Sequence, residues 1–148
     1  MLISSRGSLL VQLMVSVGIF ALLATLSIPA LRQYQPNAKL RAEGRQLTSD
    51  LRHTQQLTVT EQKVYYLELN VLGNSYNIVK QEEPGTPIKT VNLDSAVDIQ
   101  SVNGFDNDQV VFNSYGAVSQ AGTIILTNSQ ERVATIQVKP SGYVQLSE

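Results

Sequence analysis

Residues 6–31 read RGSLLVQLMVSVGIFALLATLSIPAL, and this stretch decides how the rest of the chain is read. From Ser8 to Leu31 there is no charged side chain. The run is about 24 residues, which a helix spreads over roughly 36 Å, enough to cross a bilayer core with some tilt. A buried helix of a soluble protein is the alternative. The roughly 115 residues that follow could hardly enclose such a helix on every side. A cleaved secretory signal has a shorter apolar region and small residues at its cleavage site, and Ile28 and Ala30 flanking Pro29 serve that poorly. A plain membrane anchor accounts for the length but not for Arg6-Gly7. Basic residues do not set the orientation simply. Arg6 precedes the run, while Arg32, Lys39, Arg41 and Arg45 follow it, which by count alone puts the carboxy-terminal side in the cytoplasm.

Outward from this run the chain changes character. Of its 148 residues 43% are apolar, which supports a core, and a formal charge of −1 gives no overall field toward nucleic acid or anionic lipid. The absence of cysteine removes disulfides, thiolate metal sites and cysteine nucleophiles. After Pro29, Leu40, Leu47 and Leu51, with Leu57 and Val59 beyond, form a helical stripe facing a core. Gly44 is a weak point in it, and Pro29 and Pro36 should bend or loosen the helix. The pattern predicts one helix from about Ser8 to about Thr60. Arg41, Arg45 and Arg52 share one face of it, near Lys39 and His53. This strip could meet DNA or an acidic partner, but Glu43 and Asp50 interleave with it, so a solvated helix face is the favoured reading. His53 has no second ligand type for a metal and no partner for a triad.

From Lys63 the period becomes two. Val64–Asn70 and Tyr76–Lys80 flank Gly73-Asn74 as a hairpin. Further strands are predicted at Ile88–Leu93, Val97–Val102, Gln109–Asn113, Thr123–Thr127, Arg132–Lys139 and Tyr143–Leu146. The fold class is therefore α+β: a long amino-terminal helix packed on an antiparallel head. Asp106-Asn-Asp108 lacks the glycine and closing glutamate of a calcium loop and reads as a turn. No phosphate-binding loop, dinucleotide fingerprint or zinc spacing occurs, so no catalytic residue, metal or cofactor is expected, and the chain is not read as an enzyme.

The short leader ending in Arg6-Gly7 before a long apolar helix resembles the prepilin signal of type IV pilins and type II secretion pseudopilins. The head adds to this. Val111-Phe112-Asn-Ser-Tyr-Gly116 and Ile136-Gln-Val138 through Gly142-Tyr-Val144 resemble the strand-turn motifs of the GspH/FimT-type minor pilins and pseudopilins. The resemblance covers nearly the whole chain and implies four parts: a leader (1–7), a transmembrane and filament-core helix (8–31), its amphipathic continuation (32–61) and a β head (62–148). It implies cleavage by a prepilin peptidase between Gly7 and Ser8, methylation of Ser8, and a kink at Pro29. It also implies a single-pass protein of the bacterial inner membrane with its head outside the cytoplasm, held by lipid until an assembly platform joins it to other pilin subunits.

Two positions depart from the pattern. Ser8 stands where phenylalanine is usual, and Gln12 where most members carry a glutamate that neutralises a neighbour's amino terminus. Glutamine can accept a hydrogen bond from that ammonium but cannot cancel its charge in an apolar medium. On the resemblance this points to a minor or tip-proximal subunit; the alternative is that Gln12 is a tolerated polar residue of the span. Some members of the subgroup take up DNA through a basic carboxy-terminal strand. Here Lys139 is the one basic residue of that segment, and DNA contact by that route is not expected.

Overall fold

The structure is a computed structural model that describes the backbone of residues 5–147, with side chains except for 5–8 and 26–33. Two compact units divide the chain, Met1–Gln35 and Pro36–Glu148. Helix α1, Ser5–Glu61, contributes to both. It includes Pro29 and Pro36, and the units divide at Pro36. The expected bend at Pro29 falls on side chains outside the described residues. The chain then runs through β1 (Tyr65–Asn70), β2 (Ser75–Lys80), β3 (Pro87–Asn92), β4 (Val97–Asn103), a 3-10 turn at Asp106–Asp108, β5 (Gln109–Phe112), β6 (Gly122–Asn128), β7 (Val133–Val138) and β8 (Val144–Ser147). These strands form two antiparallel sheets, β3-β2-β1-β5 and β4-β6-β7-β8. The predicted strands all appear, within a residue or two of their expected ends.

In the second unit, α1 packs on the sheets because its buried positions recur at three and four residues. Leu40, Leu47 and Leu51 join Leu67, Ile78 and Phe112 of one sheet and Ile124, Ala134, Ile136 and Val144 of the other in one cluster. The stripe does not continue through Leu57 and Val59 as expected. Leu57 is half-buried and Val59 is 42% exposed, while Thr54 and Thr58 are fully buried. Each threonine hydroxyl donates one turn back, to the carbonyls of Asp50 (2.7 Å) and Thr54 (2.9 Å), so neither costs an unpaired polar group. Gly44 is a contact point and not a weakness. A Cβ there would stand 3.2 Å from Leu146 Cδ1 and 3.8 Å from the Ala134 Cβ, so the bare backbone lets α1 lie close over β7 and β8.

Polar side chains join the layers. The Asn74 amide donates to the Val97 carbonyl (2.6 Å) and accepts from the Ile99 N–H (3.0 Å), tying the β1–β2 turn to β4. Lys39 pairs with Asp94 at 2.9 Å, and the Lys39 ammonium, followed by the Ala96 N–H, holds that carboxyl below its usual range. Where α1 ends, the Tyr65 hydroxyl donates to the Glu61 carboxylate. That hydrogen bond, then burial, pushes the phenol up to about 12. A raised folded value means the stabilisation is complete below the unfolded value near 10 and is lost as pH rises toward 12. Head stability is therefore expected to decline between about pH 10 and pH 12, and less steeply in Tyr65→Phe; urea midpoints across that range measure it.

Candidate assembly surface

The first unit offers one chemistry. From Leu9 to Leu23 its large apolar side chains are all exposed, between 54% at Ile19 and 73% at Phe20. They cover every side of the helix, so a hydrogen-bonded rod presents hydrocarbon all round. The hydroxyls within it are satisfied internally: Ser16 donates to the Gln12 carbonyl (2.9 Å) and Thr25 to the Ala21 carbonyl (2.6 Å). Such a surface is stable only when lipid or other apolar helices cover it. The Gln12 side chain is exposed in the midst of these residues. Gly7 and Ser8 belong to the helical backbone, but their side chains, and that of Pro29, lie outside the described residues. Among the described residues no helix is long and apolar enough to cross a membrane; the expected span, 8–31, extends beyond the side chains described.

The second unit carries the basic strip, which is a solvent-exposed face, but the acids expected to interleave on it do not lie there. Arg41, Arg45 and Arg52 are exposed. The two acids that interleave with them in sequence turn toward the head. Asp50 is buried, with its carboxylate accepting from the Tyr76 hydroxyl (2.7 Å) and the Lys89 ammonium (2.7 Å). Glu43 accepts from the Asp94 N–H at 3.2 Å. A period of 3.6 places residues two apart on opposite sides, which is why alternation in sequence does not become alternation on one face. Arg52 reaches to the head and donates to the Val144 carbonyl at 3.0 Å. With Arg45 it lines an open groove of about 430 Å³ between α1 and β8.

Three features escaped the sequence reading. The Asp50–Tyr76–Lys89 cluster joins α1 to β2 and β3, and only the fold brings these residues together. The Gln55 side chain donates to the Gly116 carbonyl at 2.6 Å, where the two glycine turns of the head meet. Asp106 and Gln120 exchange two hydrogen bonds, N–H to Oε1 at 2.8 Å and Nε2 to Oδ2 at 2.6 Å. Those bonds give Asp106 its turn role. His53 is exposed.

The family described as type II transport protein GspH matches residues 43–142. No curated protein gives a significant sequence match. Among solved structures, the type IV minor pilin FimU of Pseudomonas aeruginosa is similar at a TM-score of 0.61 and 10% identity, over 76% of this chain and 90% of that one. The minor pseudopilin EpsH from the type 2 secretion system of Vibrio cholerae is similar at a TM-score of 0.60 and 10% identity, over 74% of this chain and 96% of that one. At such identity these two likenesses carry the fold: a helix on antiparallel sheets, as in pilins.

Proposed function

We propose that this chain, which belongs to the GspH family of type II transport proteins, works as a structural subunit of an envelope filament, a minor pilin or pseudopilin. The observation that carries the reading is the all-round apolar surface from Leu9 to Leu23, on the same helix that enters the pilin-like head. In this reading a prepilin peptidase cuts between Gly7 and Ser8, and Ser8 is methylated. The segment 8–31 holds the chain in the inner membrane as a single pass, head outside the cytoplasm. An assembly platform then moves it from lipid into a bundle of like helices. Lipid is as apolar as the bundle, so side-chain packing and polar pairing drive that transfer more than water exclusion does. Pro29 gives the helix a place to bend on entry.

Gln12 sets how well the subunit takes a successor. A neighbour's amino-terminal ammonium meets in Gln12 an acceptor without charge, and an uncompensated charge in such surroundings costs several kcal/mol. The chain is therefore a minor or tip-proximal subunit. Gln12→Glu is expected to raise its copies per filament about fivefold, the effect of roughly 1 kcal/mol of added pairing. Quantitative immunoblots of sheared filaments measure this; unchanged copy number and position would count against the assignment.

A further inference from the structure

We propose that the groove between α1 and the free edge of β8 binds an extended acidic peptide segment of a partner protein, adding it as a strand to the β4-β6-β7-β8 sheet. This stands on the head alone and does not depend on the filament reading. β8 ends its sheet, and its register with β7 pairs Val138 with Val144, Gln137 with Gln145, Ile136 with Leu146 and Thr135 with Ser147. Lys139 N–H donates to the Tyr143 carbonyl at 2.9 Å, so the hydrogen-bonded pairs toward β7 fall at Tyr143, Gln145 and Ser147. The alternation of an antiparallel pair then turns the N–H and C=O of Val144 and Leu146 outward; Arg52 already occupies the Val144 carbonyl, so an added strand would pair with the Val144 N–H and with the N–H and carbonyl of Leu146.

The sheets have four edges, and the other three are guarded. β3 carries Pro87 and Lys89, β4 carries Asp98 and an irregularity between Ile99 and Ser101, and the β5 edge is met by the Ser119 N–H donating to the Val111 carbonyl at 3.1 Å. β8 reads Val-Gln-Leu-Ser, with no charge, no proline and no bulge.

Charge selects the occupant. Among the described residues the groove is lined by Arg45 and Arg52 and by no carboxylate. A second hollow shares Arg52, Tyr143 and Val144 with it and reaches Gln56. From Arg45 to Gln56 the helix rises about 16 Å, the length of about five extended residues. At that end Lys139 stands 5.5 Å from the centre of the Tyr143 ring, which is 56% exposed. A strand edge offers donors and acceptors in alternation, and a peptide answers both. A phosphodiester chain offers acceptors only and would set an anion against the Leu146 carbonyl.

The test uses the full chain in detergent micelles and a fluorescein-labelled ten-residue peptide of alternating glutamate and valine. Anisotropy is expected to show saturable binding, with amide shifts at Val144 and Leu146. Arg45→Glu, at an exposed position, is expected to weaken binding about tenfold. A lysine–valine peptide, or one with prolines in place of the valines, is expected not to bind. The proposal is overturned by no binding, by equal binding of either control peptide, by an unchanged affinity in Arg45→Glu, or by a single-stranded oligodeoxynucleotide outcompeting the peptide at the groove.

Discussion

Gly142→Ala is expected to destabilise the head by about 3–4 kcal/mol. Gly142 has φ +80, in the left-handed region where an L side chain costs about 1–2 kcal/mol. A Cβ there would also stand 2.0 Å from the Gly116 carbonyl oxygen and 2.4 Å from Gln55 Nε2. Both are fixed points. Gly116 itself sits at φ +81, and its carbonyl holds the Gln55 amide at 2.6 Å. The Val118 N–H donates to the Pro140 carbonyl at 3.1 Å, so the two turns are also joined through the backbone. Relieving the clash means parting the β5–β6 loop from the β7–β8 turn and breaking the tie to α1. Urea unfolding of the detergent-solubilised chain measures it, with the exposed Ser141→Ala as a near-neutral comparison. A loss below about 1 kcal/mol in Gly142→Ala would mean the two turns are not in contact.

Asp50→Ala is expected to cost about 2–4 kcal/mol, and Asp50→Asn less. The asymmetry of buried hydrogen bonds decides the size. Removing the carboxylate strands the Tyr76 hydroxyl, on a side chain 1% exposed, whereas Lys89, 42% exposed, returns to water. Burial, and then the hydrogen bond to Asp50, push the Tyr76 phenol well above its usual range. In the Tyr76→Phe background the stranded hydroxyl is gone, and Asp50→Ala is expected to cost about 1–2 kcal/mol less. Additive losses would place the effect elsewhere.

The strands were legible because their punctuation is local. Gly73-Asn74 and Pro140-Ser-Gly142 are turn signals whatever surrounds them, and period-two burial follows from strand geometry. Their partition was not legible. β1 pairs with both β2 and β5, and the choice of β5 over β4 rests on contacts some forty residues apart that no local signal records. The buried face of α1 was half legible. Leucines announce burial, while Thr54 and Thr58 reach it by hiding their hydroxyls against the helix, and a hydropathy pattern does not show that. The placement of the strip's acids was not legible for the same reason: Asp50 and Glu43 sit near arginines in sequence but face the head in space. For Gly7, Ser8 and Pro29 the basis remains the leader motif and the family resemblance. The apolar rod itself was plain from residues 8–31, because hydrocarbon in such a length has few other uses.

The most direct measurement is the mass of the mature amino terminus of the chain isolated from its native membrane. The account predicts a chain that begins at Ser8 and carries one added methyl group. A chain that retains Met1–Gly7 would contradict it.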